Sequence, residues 1–458
     1  MSTAGFCTAL LEAAGVPLSP GVSAAARRTL FNVIGTAASA VASPTVTVLL
    51  AAAAEQHGDG AVQVPGLART LDPYWGALVT GTAAHLDDFD DTHLATVIHP
   101  GASALATVLA LVPETAPTGA RFLAAFAAGC EAQLRIGTAI SPAHYDHGWH
   151  ITGTCGVFGA AVAAAALFGL DERAMGRALS LAATMTAGHR EAFGSMTKPL
   201  HAGKAAANGI LAARLAAAGL DGPADPLGPA AAAGGTGTGT GVGGGGVLEV
   251  LAASVDRAVL GPDAWHGTWE LELNTFKTYP CGVVAHPAMD AAISVSAVID
   301  TADVTGITLR CNPLVPELMG LAQPADGLSA RFSARHGVAV GLRFGRAGLA
   351  EFSDAVATDP EVAALRALIT LQPDPGVSRD AAELRIGLRR ADPVVARVEH
   401  TRGSAARPLT DQDLLDKVRA LLAPVLGEDA ADRVRAAVDE LPTAPDVSRL
   451  IAAIRPQA

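Results

Sequence analysis

The chain has 458 residues, of which 50% are hydrophobic, 17% are charged and only 4% are aromatic. At roughly 150 residues per domain this length accommodates two or three domains, and the composition favours a core of closely packed, alanine-rich helices. The formal net charge of −12 argues against nucleic acid or an anionic membrane surface as a partner, although a local cationic pocket is compatible with it.

Neither a secretory signal nor a membrane span is expected. The first residues lack a basic segment and include Glu12 within their first apolar stretch, unlike a signal peptide. The longest apolar run, Val157–Leu170, is shorter than the roughly 20 residues that cross a bilayer. Five scattered cysteines without C-x-x-C spacing argue against a disulfide framework or a zinc site and favour the cytoplasm as the location.

Residues 1 to about 260 predict a succession of helices, because apolar residues recur at helical spacing between Gly or Pro residues. The clearest are Gly119–Ile140, Thr152–Phe168, Asp171–Ala187 and Pro199–Ala218. The low-complexity stretch Pro229–Gly246, with its Gly- and Thr-rich residues 234–246, predicts a mobile loop. Since no strand precedes its glycines, a phosphate-binding loop is not expected.

A different pattern follows Lys277, where alternating apolar and polar residues predict strands. The predicted strands are Val304–Arg310, Ser329–Ser333, Glu383–Arg389 and Val394–His400, with helices at Pro287–Val298 and Glu361–Ile369. Helical spacing returns from Leu409 to Ile454, after a Thr410-Asp411-Gln412-Asp413 start. These terminal helices are expected to pack on the first domain, which makes the α+β unit an insertion.

The densest cluster of ionisable residues lies between His85 and His99. Its members are four aspartates and three histidines within fifteen positions: His85, Asp87, Asp88, Asp90, Asp91, His93 and His99. Buried charge is costly unless it is paired, so the cluster points to chemistry. Alternating carboxylates suit a hard divalent cation, for which the candidate ligands are Asp88, Asp90, Asp91 and His93. The other hypothesis is a helix end whose acids cap backbone N–H groups or pair with arginines.

A second candidate segment, His144–Thr154, precedes the helix that is predicted to begin near Thr152. The N-terminus of a helix offers free N–H groups and the positive end of its dipole, which suit a substrate carboxylate. Tyr145 is one of only three tyrosines in the chain. Its place among histidines is compatible with a catalytic role and also with an exposed loop tyrosine.

Lysine is scarce, since only four of the 32 basic residues are lysines. Lys198 lies at the start of a predicted helix, where the macrodipole disfavours a cation and lowers the pKa toward the range of a general base. Lys277 lies at the junction of the two sequence patterns, where a cleft between domains forms. A solvated surface lysine is the alternative at both positions. Lys417 is interpreted as a chance survivor of biased codon usage.

Taken in order, these motifs resemble the MmgE/PrpD family, which includes 2-methylcitrate dehydratase, cis-aconitate decarboxylase and iminodisuccinate epimerase. The matching residues are Gly81-Thr82-Ala83-Ala84-His85, Asp88-Phe89-Asp90-Asp91-Thr92-His93, His99-Pro100, Gly148-Trp149-His150, Thr197-Lys198-Pro199-Leu200-His201 with Gly203-Lys204, and Lys277-Thr278-Tyr279-Pro280. The resemblance covers nearly the whole chain. The stretch His144–His150 is closer to the epimerase-like bacterial members than to the decarboxylases and methylcitrate dehydratases.

The resemblance implies a mainly α fold. A large all-helical domain would comprise residues 1–266 and 405–458, and a smaller α+β lid domain, residues 267–404, would be inserted before the C-terminal helices. The resemblance also implies an active site in the cleft between the domains, homodimers, and neither a metal nor an organic cofactor. The active-site positions carried over are Asp88, Thr92, His99, His150, Lys198 and Lys277, with Tyr145 added for the epimerase-like branch.

From this set we expect a cofactor-independent lyase that removes water or CO2 from a small di- or tricarboxylic acid through an enolate-like intermediate. The expected catalytic residues are Lys198, Tyr145, His150, His99 and Asp88, and the expected substrate-binding residues are Thr92, His93, Lys277, Thr152 and Arg190. Three alternatives stay open. They are an epimerase of a succinate- or aspartate-like acid that uses Lys198 and Tyr145 from opposite faces, a metal-dependent hydrolase, and a non-catalytic helical binding protein.

Overall fold

A computed structural model describes residues 2–13, 17–228, 246–261, 264, 265 and 267–457. Helices make up 59% of it, so the prediction of a mainly α fold is confirmed. The described strands form two two-stranded pairs and one four-stranded sheet. The predicted mobile loop at Pro229–Gly246 lies outside the described residues, Gly246 excepted.

Residues with strong capping preferences begin many of the helices. Ser19, Ser43, Thr118 and Asp171 each accept a backbone N–H bond at a helix start, which satisfies a donor that has no partner within the helix. The helices of the first half are α1 (Thr3–Ala13), α2 (Pro20–Ser39), α3 (Pro44–Glu55), α4 (Pro73–Leu86), α5 (Pro100–Thr115), α6 (Gly119–Ile140), α7 (Ala143–Asp146), α8 (Ile151–Phe168), α9 (Glu172–Ala183), α10 (Thr197–Ala217) and α11 (Val247–Leu251).

The second half contains shorter helices and most of the strand residues. Its helices are α12 (His286–Val295), α13 (Leu314–Met319), α14 (Gly327–Ala330), α15 (Ala334–Phe344), α16 (Asp354–Ala357), α17 (Pro360–Ala367), α18 (Asp411–Leu426), α19 (Ala430–Glu440) and α20 (Ser448–Ala453). The strands within the described residues are β1 (Asp59–Gln63), β2 (Thr70–Leu71), β3 (Asp91–Thr92), β4 (Thr275–Phe276), β5 (Val304–Cys311), β6 (Ile369–Pro373), β7 (Ala382–Leu388) and β8 (Val394–Val398).

The larger hydrophobic core, which we call the first core, is formed mainly by the helices of the first half of the chain, and helix α8 lies at its centre. By length and composition it could cross a membrane, with a mean hydropathy of 1.8, but 89% of it is buried inside the protein. Helices α2 and α3 pass the same test only as a pair bent by 81°. Because α5, α6 and α10 all pack against α8, its apolar composition is explained by burial on every side. The predicted buried helix Thr152–Phe168 is confirmed.

Small residues let two helices beside the candidate site approach closely. Helices α4 and α10 cross where Gly81 faces Gly203, and a Cβ added to Gly203 would lie 2.1 Å from the carbonyl oxygen of Leu78. Only glycine fits at such a distance. The crossing brings the end of α4, which leads into Asp88, close to the start of α10, which carries Lys198.

A separate hydrophobic core, which we call the second core, is formed by residues between Tyr279 and Ala396. Its sheet has the order β6-β5-β7-β8, in which β5 and β6 are parallel and the other pairs are antiparallel. Helix α12 packs on β7, β8 and α15. The predicted strands Val304–Arg310, Glu383–Arg389 and Val394–His400 are confirmed within one or two residues.

Two features of this region differ from the prediction. The predicted strand Ser329–Ser333 is wrong, because Asp326 accepts the N–H of Ser329 in a capping box and starts α14 instead. Strand β6 was not predicted. In the structure, α17 ends at Ala367, and the chain then turns directly into β6, which pairs in parallel with β5. Both misses concern short segments whose local pattern fits a helix and a strand equally well.

The chain returns to the first core at its C-terminus. Leu414, Val418 and Leu422 of α18 belong to the same hydrophobic cluster as the N-terminal helices, and α18 packs on α2. Thr410 and Asp413 form a capping box at its start, at the position where the sequence predicts a helix start. The domain bounds 1–266 with 405–458 and 267–404 stay a prediction.

The buried His336 makes the stability of the second core depend on pH. Its Nε2 lies 2.8 Å from the carbonyl oxygen of Glu351, and Arg366 donates to its Nδ1, so the ring must be neutral. Burial lowers its pKa to about 4. Since an unfolded histidine titrates near 6.5, the unfolded chain binds a proton between pH 6.5 and 4 that the folded protein excludes.

We therefore expect the free energy of unfolding to fall as the pH drops from about 6.5 to 4, and His336→Gln to remove part of that slope. The glutamine can keep both hydrogen bonds but does not titrate. The difference in slope should approach about 1.4 kcal/mol per pH unit, the value for one proton. Urea titrations between pH 7 and 5 measure it, and parallel curves for the two proteins would contradict the prediction.

Candidate active site

The segment after α4 places the first charged groups of the site. Helix α4 ends at Leu86, and Asp88 adopts the left-handed backbone conformation, with φ of +50°, which aspartate tolerates better than most residues. The chain then forms β3, which pairs with β4 so that Asp91 lies opposite Phe276. This pairing brings Lys277, the residue after β4, beside Asp88.

The carboxylate of Asp88 is shared by two lysines. Lys277 Nζ lies 2.8 Å from Asp88 Oδ2, and Lys198 Nζ donates to Oδ1. All three side chains are buried. Burial alone would raise the pKa of Asp88, but the two ammonium groups outweigh it and hold that pKa well below its usual range. Burial lowers the pKa of Lys198, although Asp88 opposes that shift.

A second carboxylate, Asp90, lies between two imidazole rings. His85 Nδ1 is 2.7 Å from Asp90 Oδ2, and His99 Nδ1 is 2.9 Å from Oδ1. Each ring therefore carries its proton on Nδ1. Burial lowers the pKa of His85 to about 3 and also lowers that of His99. A neutral His99 with this tautomer has an unprotonated Nε2, which can accept a proton.

His150 begins α8 and is linked to a further histidine. Its Nδ1 lies 2.8 Å from His201 Nδ1, so one ring donates and the other accepts. On its other side, the His150 ring stacks on His85 at 5.5 Å between centroids. Burial holds the pKa of His150 well below its usual range, and the ring is neutral. Since Nδ1 is engaged, Nε2 is the atom available to a substrate.

These groups surround a cavity with an empty volume of about 520 Å³, which includes its open mouth. Seven of the ten predicted site residues line it: Asp88, Thr92, His99, Tyr145, His150, Lys198 and Lys277. The second core supplies apolar wall residues, among them Val284, Leu318 and Met319. The cavity thus lies between the two cores, with charged groups on one side and apolar groups on the other.

Three predicted substrate-binding residues do not line the cavity, and each has partners within the protein. His93 has both ring nitrogens engaged, by Thr96 at 3.0 Å and by Glu270 at 3.0 Å. Thr152 accepts the backbone N–H of His99 and so positions that residue. Arg190 is the third. These side chains contact residues around the site rather than the cavity itself. Their orientation could not be predicted, because proximity to a motif in the sequence does not decide which way a side chain points.

Arg190 covers the face of Tyr145 and connects the two cores. Its guanidinium lies 4.4 Å from the centroid of the Tyr145 ring, and it pairs with Glu317 of α13 at 2.9 Å. Tyr145 itself is on the short helix α7 rather than in a loop. Burial raises the pKa of Tyr145 to about 12. The phenol is therefore protonated near neutral pH and is suited to donate a proton or a hydrogen bond.

The remaining aspartates of the cluster have structural partners, as the capping and pairing hypothesis predicts. Asp91 accepts the N–H of Gly101 at the start of α5 and a bond from Asn274. Asp87 pairs with Arg331 of the second core at 2.7 Å. Because Asp91 and His93 are engaged elsewhere, the ligand set proposed from the sequence for a cation does not assemble.

A different group of four could still hold a cation. The candidate ligand atoms of His85, Asp88, Asp90 and His99 lie within 4.8 Å of one another, and all four residues are buried. Both oxygens of Asp88, however, already contact lysine ammonium groups. A divalent cation there would have two positive charges as immediate neighbours, which is electrostatically unfavourable.

Val97 stores backbone strain at the cavity wall. Its φ is +56°, which is rare for a β-branched residue, and its side chain lines the cavity. The N–H of Val97 donates to the carbonyl oxygen of His93 at 2.7 Å, within the tight turn that leads to His99. Strained residues of this kind concentrate at functional sites.

The interpretation of Lys417 as a chance survivor of biased codon usage does not account for the contacts of its ammonium group. Its Nζ donates to the carbonyl oxygens of Phe89 at 2.7 Å and Lys277 at 2.8 Å, and it lies 4.0 Å from the centroid of the Phe89 ring. Burial lowers the pKa of Lys417 to about 7. The side chain thus connects the segment that follows Asp88 to the segment that carries Lys277. In the sequence, only the scarcity of lysine drew attention to it.

The cavity brings together two lysines, two neutral imidazoles and a protonated phenol, which are groups able to bind an anion and to transfer protons. Family models confirm the resemblance seen in the sequence. The MmgE/PrpD N-terminal domain matches residues 8–236 and the MmgE/PrpD C-terminal domain matches residues 279–443. The chain belongs to the MmgE/PrpD family.

Curated relatives have two related activities. Cis-aconitate decarboxylase of Homo sapiens is 29% identical over 402 residues, which cover 83% of this chain and 79% of the relative. Cis-aconitate decarboxylase of Aspergillus terreus is 33% identical over 170 residues, 35% of this chain and 34% of the relative. For 2-methylcitrate dehydratase of Cupriavidus necator the identity is 34% over 125 residues, a quarter of each chain.

We expect Lys417→Met to destabilise the protein by about 1–3 kcal/mol, because the carbonyl groups of Phe89 and Lys277 lose their donor while remaining buried. Arg419→Met is the matched control on the same helix. Arg419 forms exposed ion pairs with Asp416 and Asp432, and such pairs contribute roughly 0–1 kcal/mol. Urea titration measures both variants, and equal free energies of unfolding would contradict the positioning role of Lys417.

Proposed function

We propose that the protein is a cofactor-independent lyase that removes water or CO2 from a small di- or tricarboxylic acid. The observation that carries the proposal is the buried contact of Lys198 and Lys277 with Asp88, beside the imidazoles of His99 and His150. Two cations in one cavity suit a substrate with several carboxylates. The similarity to cis-aconitate decarboxylase over 83% of the chain supports the same reaction class.

Substrate binding changes the charge balance of the site. In the free protein the two ammonium groups share the single carboxylate of Asp88. A substrate carboxylate can accept further N–H bonds from the same ammonium groups, since each has three donors. The added negative charge favours the protonated forms of His99 and His150. Binding thus prepares the imidazoles to act as acids.

The same groups can perform the chemical steps. In a dehydration, a base removes the proton next to a carboxylate, and the electron pair that it leaves expels hydroxide, which departs as water after an imidazolium protonates it. In a decarboxylation, the broken C–C bond leaves its electron pair on the substrate carbon, which then takes a proton from the acid. Lys277 stabilises the enolate-like charge in either case. Lys198, whose pKa is lowered by burial, is the candidate base once its ammonium group has passed one proton to the imidazole that then acts as the acid.

We expect Lys198→Ala and His150→Ala each to lower kcat by at least about a hundredfold, the usual scale for general acid–base residues. The measurement is the consumption of citrate-like and cis-aconitate-like acids. Lys204→Ala is the matched control, because Lys204 lies on the same helix but is exposed and contacts the hydroxyl and the ring of the exposed Tyr74. Near-normal turnover in both site variants would contradict the assignment.

A second result would replace the proposal with a metal-dependent hydrolase. Activity that is abolished by EDTA and restored by Mg²⁺ would assign the ligand group of His85, Asp88, Asp90 and His99 to a cation. Activity that is indifferent to EDTA supports proton transfer by the side chains alone. The chelator assay therefore accompanies the variants above as their control.

An epimerase is the other candidate, favoured by Tyr145 at the cavity wall with its pKa raised to about 12. In this reaction a base removes the α-proton and Tyr145 returns a proton to the opposite face, with no group lost. Incubation with aspartate- and succinate-like acids in D2O, followed by NMR, distinguishes the two. For the lyase we expect loss of water or CO2 and a small effect of Tyr145→Phe on kcat. Deuterium exchange without group loss, abolished by Tyr145→Phe, would establish the epimerase.

A further inference from the structure

A second cavity adjoins the candidate active site and is larger, with an empty volume of about 860 Å³. We call it the outer chamber. The two cavities share five wall residues, which are Val97, Tyr145, Val283, Val284 and Leu318. Four of these are aliphatic, and Tyr145 presents its ring as well as its hydroxyl. The boundary between the cavities is therefore made almost entirely of apolar side chains.

The outer chamber continues between the two cores, with apolar side chains near the boundary and polar ones, among them Thr401, Arg402 and Ser404, further out. Phe276 of the first core and the nearby Leu94 line it on one side, and Leu314 of α13 lines it from the second core. Its far end reaches the surface at the exposed Arg379, next to Asp380. Neither Leu94 nor Leu314 takes part in the polar network around Asp88, and neither lines the inner cavity.

From this arrangement we infer that the outer chamber binds an apolar substituent, an alkyl or alkenyl chain on the carbon skeleton of the substrate acid. The inference rests on the proposed function, because the lysines and imidazoles of the inner cavity hold the carboxylates. A polar extension would lose hydration where it crosses the aliphatic boundary, because that boundary offers it no charged side chain. An apolar chain would instead bury its surface against Val284, Leu314 and Leu318.

An unsubstituted acid of four to six carbons leaves the outer chamber unused. Its carboxylates would be held in the inner cavity, where Lys198 and Lys277 lie. The chamber therefore acts as a specificity site that discriminates acids by their alkyl substituent. The inner cavity recognises the carboxylates that all of these acids have in common. Substrate entry through the chamber is the competing explanation, and it makes a different prediction for affinity.

The test measures binding, so its result does not depend on which reaction the enzyme catalyses. Succinate, 2-methylsuccinate, 2-butylsuccinate and 2-hexylsuccinate are titrated into the protein by calorimetry. We expect Kd to fall about threefold to fourfold for each added methylene, since burying one CH2 is worth about 0.8 kcal/mol. An equal or rising Kd along the series would overturn the inference and leave the proposed lyase activity intact.

Two variants block the outer chamber from opposite walls. Leu314→Trp and Leu94→Trp should each abolish the gain from the alkyl chain, by at least tenfold for 2-hexylsuccinate, and leave the Kd of succinate within about twofold. Leu220→Trp, at an exposed leucine outside both cavities, is the control and should bind the whole series as the wild type does. Circular dichroism verifies that each variant is folded.

The competing explanation is tested by the same variants. If the outer chamber only admits substrate, the blocked proteins will slow the association of succinate and 2-hexylsuccinate equally, which stopped-flow measurements detect, and the Kd series will be flat. Either result overturns the inference. If the series improves with chain length but no acid is turned over, the chamber is established as a binding site and the proposed reaction fails separately.

Discussion

The carboxylate of Asp88, held between Lys198 and Lys277, is the contact on which the rest of the site depends. Two ammonium groups buried in one small space repel each other strongly, and Asp88 compensates that charge. Because each of these groups is costly to bury alone, the three keep their positions only together. A carboxylate that enters the cavity finds cations already oriented, so little reorganisation accompanies the reaction. Asp90 acts in the same way on His85 and His99, whose tautomers it determines.

The fold serves this arrangement through two close approaches of the backbone. The crossing at Gly81 and Gly203 brings α4 and α10 together and thereby Asp88 and Lys198. The short β3–β4 pair brings Lys277 from a segment almost 190 positions further along the chain. The buried Lys417 then joins the carbonyl groups on both sides of this pair. The active-site cavity lies where these elements meet the second core, and the apolar outer chamber continues from it between the two cores.

Much of this could be predicted from local pattern. Long helices such as α6 and α8 are bounded by Gly, Pro and capping residues, and their apolar spacing shows over many turns. Short segments could not be predicted with the same security, as Ser329–Ser333 shows, because four or five residues fit either pattern until tertiary packing decides. For the site, residue type and family order singled out ten residues, of which seven line the cavity. The positions of His93 and Arg190 away from the cavity could not be predicted, because their partners, Glu270 and Glu317, are distant in sequence.

The sequence by itself determined the mainly α fold, the family, and the rare chemical groups that gather at the active site. Those conclusions depend on periodicity and on residue types, which are properties of the chain alone. Tertiary structure decided which of these groups face the cavity, that the carboxylate of Asp88 lies between the two lysines, and that Lys417 supports the site. It also decided that an apolar chamber extends the cavity. The physical reason is that burial, ion pairing and the pKa of each group are set by neighbours from distant segments, which no local pattern specifies.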